Sequence, residues 1–79
     1  MTKEEVFSRL TEVFRDVFDD ESIEISETTT SADIPDWDSF EHINLILAVE
    51  TEFGVKIPMG KAVALKNIGE LADTIIAMA

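Results

Sequence analysis

The chain contains no cysteine, which excludes disulfides, thiolate catalysis and cysteine-ligated structural zinc. Basic residues are scarce: six Lys and Arg stand against 17 Asp and Glu, for a formal net charge of −11. No apolar run approaches the roughly 18 residues that read as a membrane span. The opening Met1-Thr2-Lys3-Glu4-Glu5 lacks the basic-then-apolar layout of a signal peptide, so the cytosol is the expected location. With 79 residues there is material for one domain and no second core, and for no deep two-walled catalytic cleft. A hydrophobic content of 46% is that of a globular chain, not of a disordered acidic tail.

The deficit of positive charge is concentrated. From Asp16 to Val55 there are twelve acids and no Lys or Arg. Such a field repels nucleic acid phosphates and anionic lipid surfaces, and steers the domain towards partners with basic patches. Acids spread evenly would serve solubility alone. Their density around one serine, Ser39, points to a docking surface.

Helical spacing dominates the pattern. Thr2 and Glu5 form a capping-box signature ahead of Val6, Phe7, Leu10, Val13, Phe14, Val17 and Phe18, predicting an amphipathic helix over 3–18. Residues 19–37 read as a long ordered loop pinned by Ile23, Ile25 and Ile34; the strand-like alternation at Ser22–Ser26 has no partner strand. Asp38 is the expected N-cap of a second helix over 39–53, stopped by Gly54 with Val55 packing back. Its apolar residues fall on two lines, Leu45-Val49-Phe53 and Phe40-Ile43-Leu47. After Lys56-Ile57-Pro58 come a weak short helix over 59–65 and, capped by Asn67, a last helix over 68–78. The expectation is an all-α fold: three main helices and one short one in a small bundle.

At Pro35-Asp36-Trp37-Asp38-Ser39-Phe40 and beyond, the pattern becomes specific. Asp38-Ser39-Phe40 opens a hydrophobic helix that runs through Ala48-Val49-Glu50-Thr51-Glu52-Phe53 and is followed by Val55-Lys56-Ile57-Pro58. Asp-Ser alone carries no information. Joined to the Glu-Phe ending, the Ile-Pro turn and the acidity, it resembles the acyl carrier protein family across the whole chain, 1–79. The resemblance implies that Ser39 takes a 4′-phosphopantetheine arm from coenzyme A, that the arm carries acyl groups as thioesters, and that Asp38 assists the phosphopantetheinyl transferase. The chain itself is then not an enzyme. It also implies a monomer without nucleic acid or membrane partners, which presents cargo to loading, condensing and modifying enzymes bearing basic patches. Phe40, Ile43 and Leu47, flanked by Glu41, Glu50 and Glu52, resemble the family's partner-binding face. Burial in a central helix is the competing account of the apolar members.

The site is physically sensible on its own terms. Ser39 at a first helical position lies where backbone N–H groups are unpaired and the helix dipole favours an anion. Two catalytic or metal readings are weaker. Asp38, Ser39 and His42 lack a nucleophile elbow and an oxyanion hole, so His42 reads as a solvated or partner-contacting residue. Asp33, Asp36 and Asp38 lack the central glycine and terminal acid of a calcium loop. A non-catalytic acidic interaction module is the alternative from another class, since Ser39 would then be dispensable for binding a basic partner.

Several positions depart from the fatty acid synthesis pattern: Phe40 after the serine, Asn44 and Thr51 in place of acids, and a third helix with Lys61 and Lys66 but no acid. Trp37 precedes Asp38, either covering the helix start or standing exposed beside the arm as a contact for partner or cargo. These departures favour a carrier dedicated to a specialised pathway, fatty acid, polyketide or related. A peptidyl or aminoacyl carrier is less well matched, because no glycines precede Ser39.

Overall fold

The first helix, α1 (Lys3–Phe18), begins where expected: the Thr2 side chain accepts the Glu5 N–H, and the Thr2 hydroxyl donates to the Glu5 carboxylate. The computed structural model of the chain describes residues 1–78. The apolar stripe of α1 turns inwards, with Val6, Leu10 and Phe14 fully buried. The helix ends at Asp19, which adopts a left-handed conformation (φ 51°, ψ 48°) and turns its N–H back to the carbonyls of Arg15 and Asp16. Asp and Asn tolerate this geometry better than other residues with a Cβ, so an aspartate here serves where glycine is usual.

The long connection that follows is irregular but ordered by its own polar groups. Asp20 accepts both the N–H and the hydroxyl of Ser22, and these bonds hold its carboxyl below the ordinary range. Arg15 donates from Nε to the Ile23 carbonyl at 3.0 Å. Ile23 and Ile34 are buried, and Ile25 packs partly against the core. The sequence reading left the connection without helix. It contains a 3-10 turn at Ser31–Asp33, closed by a capping box in which Thr30 receives the Ala32 N–H and gives its own N–H to Asp33.

Three more helices complete the bundle: α2 (Ser39–Phe53), α3 (Met59–Ala64) and α4 (Ile68–Met78). No strand occurs among the described residues. Gly54 ends α2 at φ 66°, and its N–H and that of Val55 both return to the Glu50 carbonyl. The short third helix stops one residue earlier than expected, at Ala64. Asn67 accepts the Glu70 N–H at 2.9 Å as the cap of α4. α1 packs against both α2 and α4, so the core is a seam of Phe14, Leu10, Leu45, Val49, Leu71 and Ile75.

The long connection is fastened to the start of α4 through backbone atoms. Ile68 N–H donates to the Thr29 carbonyl at 3.0 Å and Gly69 N–H to the Glu27 carbonyl at 2.9 Å. These bonds satisfy amides that a helix N-terminus leaves without an internal acceptor. Lys3 adds side-chain bridges to Glu27 and Asp73, which raise its own pKa. The close approach demands a glycine, because a Cβ on Gly69 would lie 2.8 Å from the Glu27 carbonyl oxygen. Gly69→Ala is therefore expected to cost about 1–3 kcal/mol, the range of overpacking changes, measured by urea unfolding. Unchanged stability would mean that the connection shifts freely.

Candidate functional site

Asp38 is extended (φ −108°, ψ −174°) and accepts the Glu41 N–H on its side chain at 2.8 Å, while its carbonyl takes the His42 N–H at 2.9 Å. Asp38 is thus the N-cap of α2, and Ser39 is the first helical residue. The N–H groups of Ser39 and Phe40 have no protein acceptor among the described residues. Ser39 is exposed, as are Asp38 and Phe40. The site is a reachable hydroxyl on a rigid helix start, next to unpaired donors and the positive end of the helix dipole. That environment suits a covalently attached phosphate group, whose charge the donors and the dipole offset.

The two apolar lines of α2 separate as the spacing implied. Leu45, Val49 and Phe53 face the core at 0%, 0% and 9% exposure, whereas Phe40, Ile43 and Leu47 stand at 72%, 49% and 56%. The burial account of those three residues is therefore overturned. Met59 and Val63 of α3 extend the exposed apolar surface, at 63% and 68%. Sequence reasoning passed over both, although their i, i+4 spacing was the signal for a shared stripe.

The flanking acids behave differently from one another. Glu41 is half-buried and accepts from the Asn44 amide at 3.0 Å. Glu50 turns back to the protein, accepting the Ile57 N–H at 2.7 Å, and so shapes the turn before α3. Glu52 is tied to Arg9, which donates from Nε to its carboxylate at 2.8 Å and from a second nitrogen to its carbonyl; the guanidinium also covers the Phe53 ring at 4.6 Å. Of the three acids expected to flank the partner face, Glu50 and Glu52 are thus already engaged within the fold.

Two readings around the serine need correction. Trp37 is not an exposed aromatic beside the arm. It is half-buried, edge-on to Phe14 with ring centroids 5.4 Å apart and tilted against Phe18 at 6.3 Å. Nor is His42 a solvated helix residue. Its ring lies nearly parallel to that of Trp37 with centroids 5.8 Å apart, accepts the indole N–H on Nδ1 at 3.0 Å, and reaches the Ala62 carbonyl with Nε2 at 2.8 Å. Both imidazole nitrogens are engaged by partners other than Ser39, so His42 is not placed as a base for that hydroxyl.

Beneath the serine, between α2 and α3, lies a groove of about 560 Å³. Its walls include Ser39, His42, Ile46, Leu47, Val63 and Leu71, with Trp37 and Ala62 also on its surface. The groove is mainly apolar and opens beside the serine.

Comparison with known proteins agrees with this geometry. Residues 8–75 match the family model described as the phosphopantetheine attachment site. An acyl carrier protein of Lactobacillus acidophilus is 32% identical over 75 residues, covering 95% of this chain and 94% of that protein. One from Acidothermus cellulolyticus is 29% identical over 95% of this chain and 89% of its own length. Among solved structures, the holo acyl carrier protein of Geobacter metallireducens superimposes with a TM-score of 0.86 at 41% identity, covering 92% of this chain and 84% of that one. The chain belongs to the acyl carrier protein family, whose function is to carry acyl groups by means of a covalently attached 4′-phosphopantetheine.

Proposed function

We propose that Ser39 is the attachment point of the arm, that Asp38 presents it to the phosphopantetheinyl transferase, and that Phe40, Ile43 and Leu47 form the contact face for the enzymes served. The observation that carries this reading is the exposed Ser39 hydroxyl at the first position of α2, beside unpaired N–H groups. The arm, once attached, supplies a terminal thiol that holds the cargo as a thioester. Everything else falls to the chain. Ser39 Oγ forms the phosphodiester bond as the nucleotide half of coenzyme A leaves. The helix start stabilises the phosphate charge, and α2 gives it a fixed root. The groove beside Ser39 shelters the apolar part of the cargo, which favours acyl over aminoacyl groups.

Asp38 has a double duty in this reading. Its carboxylate caps the helix through Glu41 N–H yet remains exposed, within reach of the transferase. With Glu50 and Glu52 engaged internally, contact with partners rests more on the apolar face than on a dense row of acids. Glu41, nearest the helix start of the three, is engaged more locally, by Asn44 of the same helix. This supports a carrier assigned to a specialised pathway; the reading also takes it to be cytosolic and monomeric.

Intact mass spectrometry tests the assignment. Incubation with coenzyme A and a broad-specificity phosphopantetheinyl transferase is expected to add one phosphopantetheine, located by fragmentation on the peptide containing Ser39. An unchanged mass, or addition elsewhere, would overturn it.

A further inference from the structure

We propose that His42 is a latch that positions α3, and thereby sets the width of the groove beside Ser39. The chemistry leaves one arrangement of protons. The Trp37 indole nitrogen is only a donor, so Nδ1 of His42 must be bare and accepting; the Ala62 carbonyl is only an acceptor, so Nε2 must carry the proton. The neutral imidazole, in one tautomer, thus links three segments of chain: the long connection through Trp37, α2 through His42 itself, and α3 through Ala62. The two rings lie within 23° of parallel, the orientation in which the indole N–H meets the in-plane lone pair of Nδ1.

α3 has little else to hold it. It has six residues, too few for an isolated helix to persist, and Pro58 gives it no side-chain cap. Ala62 is its one buried residue, while Met59 and Val63 face outwards. Among the described residues, the bond from His42 is the one hydrogen bond between a side chain of α2 and α3. Ala62 and Val63 form one wall of the groove, and His42 is part of the opposite wall. Release of the latch therefore lets that wall move away and widens the space for cargo. His42 acts through α3 and touches no reacting atom, so it is a positioning residue. Its importance for cargo rests on the carrier reading; the latch itself does not, and it is tested on protein without an arm.

Nitrogen-15 NMR of the imidazole is expected to find the Nε2–H tautomer, with the Trp37 indole proton exchanging slowly. The opposite tautomer would overturn the proposal. In His42→Phe, which keeps a ring but leaves the indole N–H and the Ala62 carbonyl without their partner, exchange of the 61–64 amides should accelerate about tenfold or more. The amides of α1 and α4 should keep their protection. Unchanged exchange in α3, or equal acceleration everywhere, would overturn the latch. His42→Gln, which can still donate to Ala62, should restore part of the protection; behaviour identical to that of the Phe variant would count against the hydrogen bond. Should His42→Phe not fold, Trp37→Phe removes the indole donor, together with part of the ring that packs on Phe14 and Phe18. It is then expected to free the tautomer and raise α3 exchange about two- to tenfold, and no change would overturn the proposal. Loading of Ser39 is scored separately by mass, so a failed latch and a failed attachment site give different results.

Discussion

Ser39→Ala is expected to fold as the parent does and to gain no mass with coenzyme A and a transferase, a complete loss of loading rather than a slowing. The two halves of this expectation have different physical origins. Folding survives because the cap of α2 is Asp38, whose bond to the Glu41 N–H does not involve Ser39, and because Ser39 is exposed. Alanine is also the best intrinsic helix former, so the first turn loses nothing through the exchange. Loading vanishes because, in the proposed function, the hydroxyl oxygen is the atom that forms the bond. Circular dichroism and intact mass, recorded on one preparation, separate the two. Residual loading of the variant would direct attention to another hydroxyl and remove Ser39 from the centre of the site. A variant that unfolds would mean that Ser39 contributes to the helix start beyond what its geometry implies.

The largest effect on stability is expected from Phe14→Ala. Phe14 is fully buried and touches both Phe18, at a ring distance of 5.9 Å, and Trp37, at 5.4 Å. Truncating a buried phenylalanine costs about 3–5 kcal/mol in transfer energy and residual cavity. A domain of this size has a total of about 4–12 kcal/mol. The substitution therefore removes a quarter of the stability at least, and most of it if the domain lies at the lower end. At roughly 4–8 °C per kcal/mol, the Tm should fall by roughly 12–40 °C in a thermal scan. Trp37 is the chain's one tryptophan and there is no tyrosine, so its fluorescence reports directly on loss of the Phe14 contact. A shift of only a few degrees would mean that Trp37 and Phe18 collapse into the gap. In that event the Trp37–His42 bond should be displaced as well.

What the sequence revealed and what it withheld divide by distance along the chain. Thr2, Asp38, Asn67 and Gly54 each act on backbone groups a few residues away, and their effects could be placed from local spacing. The same holds for the inward and outward lines of α2, which follow from helical periodicity. The Ser31–Asp33 turn had a local signal too, in Thr30 and Asp33, but it is too short to stand out from a polar connection. The missed features join distant positions. Nothing in a helix pattern says that the Glu50 carboxylate bends to the Ile57 amide, or that Arg9 spans to Glu52. Trp37 and His42 are five residues apart, but their shared bond depends on α3 supplying the Ala62 carbonyl. For the candidate site, the helix start at Asp38 and Ser39 was legible because a helix start is a local event. The groove was not, because its walls come from helices brought together only by packing.

The two backbone bonds from Ile68 and Gly69 to Thr29 and Glu27 have a topological effect. They pinch the chain at a neck, so that everything from Thr29 to Ile68, including Ser39 and the whole of α3, forms a closed lobe. Closing such a lobe costs entropy that grows only with the logarithm of its length, about 0.6 kcal/mol for each doubling. The neck and the packing of α2 on α1, rather than the number of residues between them, therefore bear the constraint. Residues added or exchanged around α3 would alter closure by only fractions of a kcal/mol, provided that Ala62 still reaches His42. The lobe is thus free to change the surface it shows to other proteins while the root of Ser39 stays where α1 holds α2.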